Sequence, residues 1–158
     1  MTKKYDYVLV SGGFDPVHVG HLRMFQDAKK LSNNVVLLLN NDEWLIKKKG
    51  KPFMNENHRK EILDELKSIT EVIIQTSSDK SSSSAIEEFV KNNPNKNICY
   101  CNGGDRNNIQ NILEADICKK LNVSLEFGIG GEEKVESSSQ LTKNYLGNVE
   151  ERPWGNYH

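Results

Sequence analysis

Apolar runs of strand length alternate along the chain with longer segments whose apolar positions recur every three or four residues. Tyr7–Val10, Asn34–Leu39, Val72–Gln75, Ile98–Cys101 and Ser124–Phe127 read as strands. The unbroken stretch Val35-Val36-Leu37-Leu38-Leu39 suits a strand covered on both faces, as in a parallel sheet. Helical spacing marks about His18–Lys30, Asn57–Lys67, Ser84–Lys91 and Ile109–Lys120. Ile62, Leu63 and Leu66 share one helix face, as do Ile109, Ile112 and Leu113. Strand–helix alternation of this kind predicts an α/β fold, a doubly wound parallel five-stranded sheet. Such sheets bind ligands beyond the carboxyl ends of their strands, so the loops after Val10, Leu39 and Cys101 are the ones to inspect.

Composition narrows the picture. At 158 residues the chain suits one compact domain, and 36% hydrophobic with 27% charged residues is a soluble globular balance. A formal net charge of −1 gives no reason to expect a nucleic-acid partner. The three cysteines, Cys99, Cys101 and Cys118, form no CxxC pair, which argues against a disulfide framework and against zinc. Cys99 and Cys101 share one face of a strand and read as small core residues. No apolar signal core follows Met1, and no apolar run is long enough for a bilayer, so no membrane partner and a cytoplasmic location are the default expectations. Ser77–Ser84 reads as a solvated loop and helix cap.

Chemistry concentrates in Ser11-Gly12-Gly13-Phe14-Asp15-Pro16-Val17-His18-Val19-Gly20-His21, between the first strand and the first helix. Gly12 and Gly13 permit a sharp turn and a close approach to phosphate. The N–H groups there and at the helix start favour an anion. His18 and His21, three residues apart, lie on one face of a first helical turn and can reach the same phosphate oxygens, with Gly20 keeping the surface open. A metal site and a pair of satisfied structural histidines are the competing readings; for a metal, two imidazoles without a third ligand nearby are incomplete. The glycine spacing does not make a GxGxxG dinucleotide loop.

At this point the chain resembles the HxGH nucleotidyltransferase superfamily, closest in appearance to glycerol-3-phosphate cytidylyltransferases. Three further landmarks recur in order. They are Lys49-Gly50-Lys51-Pro52-Phe53 with His58-Arg59, Asn102-Gly103-Gly104-Asp105-Arg106, and Glu136-Ser137-Ser138-Ser139-Gln140. The resemblance implies a Rossmann-like nucleotidyltransferase domain over residues 1–146. It implies transfer of a nucleoside monophosphate from a triphosphate to a phosphorylated small molecule, with release of pyrophosphate. In that scheme His18, His21 and Lys51 are catalytic. Gly12, Gly13, Phe14, Asp15, Gly20, Gly103, Asp105, Ser137, Ser138 and Ser139 bind nucleotide. Lys49, Arg59 and Arg106 hold the substrate phosphate. Mg²⁺ is expected on the leaving pyrophosphate, held mainly by phosphates and water, and a homodimer is expected.

One departure bears on the nucleotide. Where glycerol-phosphate cytidylyltransferases carry Arg-Thr-x-Gly-Ile-Ser-Thr-Thr, this chain has Glu132-Glu133-Lys134-Val135-Glu136-Ser137-Ser138-Ser139, so an acid replaces the arginine. CTP is the expected nucleotide, with a polyol, sugar or amino-alcohol phosphate as acceptor. An adenylyltransferase of the heptose-phosphate type and an inactive nucleotide-binding module are the alternatives. The tail 147–158 contains Glu151-Arg152-Pro153-Trp154-Gly155-Asn156-Tyr157, which resembles the opening of a cupin in sugar-phosphate isomerases. It reads as a tail or linker remnant.

Overall fold

The computed structural model describes residues 3–77, 81–103 and 114–129. Five strands, β1 (Tyr7–Gly12), β2 (Val35–Leu39), β3 (Glu71–Ile74), β4 (Ile98–Gly103) and β5 (Ser124–Ile129), form one sheet in the order β3-β2-β1-β4-β5. All four pairings are parallel. The helices are α1 (Val19–Leu31), α2 (Asp42–Lys49), α3 (Glu56–Asp64), α4 (Ser83–Asn92) and α5 (Ala115–Lys120).

Both faces of the sheet are covered, as the doubly wound expectation requires. On one face, Val8, Val10, Val35, Leu37 and Leu39 pack with Phe25 and Ala28 of α1 and Leu63 of α3. On the other, Leu9, Val36, Leu38, Ile98 and Tyr100 pack with Ile86 and Phe89 of α4 and Cys118 of α5. Every residue of β2 is buried, which explains its unbroken apolar sequence. Cys99 and Cys101 are free, buried core thiols on one face of β4, with sulfurs 3.6 Å apart.

The differences from the sequence reading are local. β3 begins one residue earlier than expected, and the N–H of Gln75 continues its ladder by donating to the Leu39 carbonyl at 2.8 Å. Tyr5, which lies outside the strands predicted from sequence, is 8% exposed and joins the core. The expected helix Ile109–Lys120 is observed from Ala115; residues 109–113 lie outside the described residues.

The larger difference is α2. The sequence pattern predicts no helix between the second strand and Asn57, yet Lys47, Lys48 and Lys49 form the last turn of one. That helix starts with Asn41, whose Oδ1 accepts the Trp44 N–H at 2.8 Å. Asp42 and Glu43 occupy the positive end and three lysines the negative end, which suits the macrodipole. Trp44 and Leu45 are buried and fasten it to the domain.

After β1 the chain moves outward through β2 to β3, then returns to β4 on the other side of β1. The order therefore reverses at β1, and in open α/β sheets the carboxyl end of such a strand is where ligands bind. The segment Gly12–His21 occupies that place.

Candidate active site

His18 is the N-cap of α1, with extended backbone (φ −139°, ψ 178°). Its Nδ1 accepts the Gly20 N–H at 3.2 Å, and the Nδ1 of His21 accepts the His18 N–H at 3.1 Å. Two donors that a helix start would leave unpaired are thus satisfied by the two imidazoles. The rings stack, with centroids 3.8 Å apart and planes 22° from parallel. Because both Nδ1 atoms accept, each neutral ring carries its proton on Nε2. Burial, and then the adjoining His18 ring, push the His21 pKa down to about 3. At neutral pH His21 is therefore an uncharged imidazole with an Nε2–H donor.

Phe14 sits beneath this pair. It is 5% exposed and packs edge-on against His21 at 4.7 Å and against Phe25 at 5.4 Å. Expected from the resemblance to meet nucleotide, it is instead a core residue that supports the His21 ring. Its φ of 49° is left-handed, so the chain turns sharply after the glycines. The glycines answer to protein neighbours. A Cβ on Gly12 would lie 3.0 Å from the Phe14 ring, and one on Gly13 2.9 Å from a Leu45 methyl.

Asp15 differs in the same way from the nucleotide-binding role expected of it. Only 2% exposed, it accepts the Phe53 N–H on Oδ2 at 2.6 Å and the Met54 N–H on Oδ1 at 2.7 Å. Lys49, expected to hold substrate phosphate, places its Nζ 2.8 Å from Asp15 Oδ2.

Arg59 lies in the second turn of α3, and its side chain is fully buried. Its Nε donates to the Met54 carbonyl at 2.9 Å. Nη1 donates to the carbonyls of Gly13 at 2.9 Å and Asn40 at 2.7 Å, and Nη2 to Asp42 Oδ1 at 2.8 Å. These bonds engage four of the five N–H donors of a guanidinium. The expectation that Arg59 grips a substrate phosphate is corrected by this geometry: the side chain clamps the ends of β1 and β2 to the loop before α3.

Sequence reasoning missed the polar group beside this clamp. Gln75, 2% exposed, donates from Nε2 to the Leu38 carbonyl at 3.2 Å and to Asn40 Oδ1 at 3.0 Å. Asn41 donates to the Gln75 carbonyl at 3.0 Å. The Asn40-Asn41 pair directly after a wholly apolar strand was the available signal. Buried amides in such a place must find partners.

Lys51 is exposed, two residues beyond α2. Gly103 ends β4 beside Ile129 of β5. Asp105, Arg106, Ser137, Ser138 and Ser139 lie outside the described residues. The structure therefore brings together His18, His21, Gly12, Gly13, Phe14, Asp15, Gly20, Lys49 and Arg59. Among the described residues no three His, Cys, Asp or Glu side chains converge on a metal-sized site, and no helix is long and apolar enough to cross a membrane.

Two imidazole N–H donors and a helix N-terminus, at a sheet's topological switch point, suit an anion. The chain is similar to several known proteins. A FAD synthase of Thermococcus sibiricus is 38% identical over 76 residues, 47% of this chain and 51% of that protein. A glycerol-3-phosphate cytidylyltransferase of Bacillus subtilis is 35% identical over 66 residues, 42% and 51% of the two chains. The chain spans about half the length of these curated relatives. Among solved structures, a lipopolysaccharide core biosynthesis protein from Thermoplasma volcanium superposes with a TM-score of 0.59 at 23% identity. That match covers 78% of this chain and 95% of the other. A bifunctional NMN adenylyltransferase/ADP ribose pyrophosphatase from Francisella tularensis superposes with a TM-score of 0.64 at 14% identity, over 90% and 43%. These likenesses establish the fold. The model of the cytidylyltransferase-like family matches residues 9–125, from β1 to β5, and the chain belongs to that family.

Proposed function

We propose that the protein transfers a nucleoside monophosphate from a nucleoside triphosphate to a phosphorylated small molecule. The observation that carries this reading is the His18–His21 pair, whose Nδ1 atoms are both occupied by backbone N–H groups, leaving the protons on Nε2. An acceptor phosphate oxygen attacks the α-phosphorus, the bond from that phosphorus to the bridging oxygen breaks, and pyrophosphate leaves. The enzyme's task is to hold two anions together and stabilise charge on the α-phosphate oxygens. His18 and His21 donate Nε2–H groups to those oxygens, and the N-terminus of α1 adds its dipole. Lys51 offsets the repulsion between the two phosphates. Gly103, Asp105, Arg106 and Ser137–Ser139 would complete the nucleotide's surroundings. Magnesium enters with the triphosphate, as part of the substrate.

CTP is the proposed nucleotide and a polyol, sugar or amino-alcohol phosphate the proposed acceptor. The family match and the glycerol-3-phosphate cytidylyltransferase relative support this. A second reading, adenylyl transfer, is favoured by relatives named FAD synthase, since FAD carries an adenylyl group. The deciding experiment measures pyrophosphate release with CTP, ATP, GTP and UTP against a panel including glycerol 3-phosphate and flavin mononucleotide. Fastest release with CTP supports the first reading and fastest release with ATP the second. No release with any pair would overturn both.

A further inference from the structure

We propose that Asp15 is the positioning residue for Lys51, fastening both ends of the short loop that carries it; this rests on the nucleotidyl-transfer reading, in which Lys51 is a phosphate-binding cation. The loop is the three residues Gly50-Lys51-Pro52. On its near side, Lys49 at the end of α2 places Nζ 2.8 Å from Asp15 Oδ2 and donates to the Asp15 carbonyl at 3.2 Å. On its far side, the N–H groups of Phe53 and Met54 donate to the two oxygens of the same carboxylate at 2.6 and 2.7 Å. The Met54 carbonyl is held in turn by Arg59 Nε at 2.9 Å. Between these anchors the backbone has little freedom. Gly50 turns the chain at φ 89°, and Pro52 has its φ fixed by its ring.

The chemistry of the anchor explains why an aspartate occupies this place. All its partners are donors, and an ionised carboxylate only accepts. An asparagine would offer an N–H₂ to one of them. The position matters as much. Asp15 lies three residues before His18 in the segment joining β1 to α1, so the Lys51 loop is tied to the segment that presents the imidazoles. A lysine on an untethered loop would have to be ordered each time a substrate bound, and fixed charges avoid that cost. Asp15 acts through Lys51 without touching substrate.

The test combines amide hydrogen exchange at Phe53 and Met54, followed by NMR, with steady-state pyrophosphate release. Four proteins are compared: wild type, Asp15→Asn, Lys51→Gln and the double variant. Asp15→Asn should speed exchange at both amides by ~10-fold or more, because their buried acceptor is impaired. It should lower kcat/KM by ~10-fold when Lys51 is present and by less than about twofold when Lys51 is glutamine, the signature of coupled residues. Equal losses in both backgrounds, or unchanged exchange at Phe53 and Met54, would overturn the proposal. Should Asp15→Asn fail to fold, Lys49→Met runs the same kinetic cycle, since it cuts the near anchor at a partly exposed side chain. Absence of pyrophosphate release by the wild type would defeat the transfer reading alone, because the exchange measurement reports the tether whether or not the protein turns over.

Discussion

The backbone N–H of His18 donates to the Nδ1 of His21 at 3.1 Å. Helix start and tautomer are therefore one arrangement: the bond that caps α1 also leaves the proton of the neutral His21 ring on Nε2. The two duties separate by substitution. His21→Asn keeps an acceptor near the capping position but loses the outward donor, whereas His21→Ala loses both. Both variants should lose ~100-fold or more in turnover, the scale for one transition-state donor. Only His21→Ala should also lose about 1 kcal/mol of stability, as for a missing cap. Turnover near wild type in either variant would end the donor role.

Stability should depend on pH through the same ring. The folded-state pKa of His21 is about 3, below the ordinary value of 6.5. Between those values the unfolded chain binds a proton that the folded chain refuses, so this group makes stability fall as pH drops from about 6.5 towards 3. Above pH 6.5 its effect vanishes. Thermal melts of wild type and His21→Asn across that range should differ in slope, with the variant flatter. Parallel curves would show that the ring titrates normally.

Arg59 should behave as a structural clamp. Arg59→Ala leaves Asp42 without its partner and uncaps the carbonyls of Gly13, Asn40 and Met54. A loss of about 3 kcal/mol is expected, since three carbonyls each lose a donor worth about 1 kcal/mol. Denaturant melts measure it. An unchanged midpoint combined with a raised KM would return Arg59 to the substrate.

The two glycines of the turn should differ. In Gly13→Ala the new methyl meets the tip of Leu45, which can swing aside, and Leu45→Ala should relieve the remaining cost. In Gly12→Ala it meets the Phe14 ring that supports His21. Gly12→Ala should thus cost more turnover than Gly13→Ala, as read by pyrophosphate release. The reverse order would mean that Phe14 does not transmit to His21.

Gly50→Ala tests the left-handed exit of α2. Among the described residues, beyond its chain neighbours, no atom lies within 4 Å of a Cβ there, while the φ of 89° is strained for any residue with a side chain. A loss of about 1–3 kcal/mol in a chemical melt is expected. No loss would show that the turn readily relaxes.

Much of this was legible in the sequence, for physical reasons. Parallel strands covered on both faces must be apolar throughout, so β2 announced itself. The i, i+3 histidines after a Gly-Gly turn marked the start of α1, where the two rings stack. What stayed hidden was the direction of the polar bonds. Asp15, Lys49 and Arg59 read equally well as ligand contacts or as internal ties, because sequence does not say on which side of a loop a charged group finds its partner. Phe14 was misplaced for a related reason: Gly13 and His18 of the same motif stay partly exposed, while its own ring is buried. Helix α2 escaped because its apolar content is short and Ile46 is 52% exposed. The capping Asn41 and the acid-to-base gradient from Asp42 to Lys49 were the signals that would have found it.

The three cysteines give the molecule a chemical clock. Each is buried in the core, Cys99 and Cys101 in the layer shared with α1, and Cys118 in the opposite layer with α4. A thiol reagent in solution must wait for the fold to open before it reacts, so the labelling rate counts openings. Because the sulfurs are divided between the layers, labelling resolved by residue would time each side of the sheet separately and tell whether the domain breathes as one unit or as two.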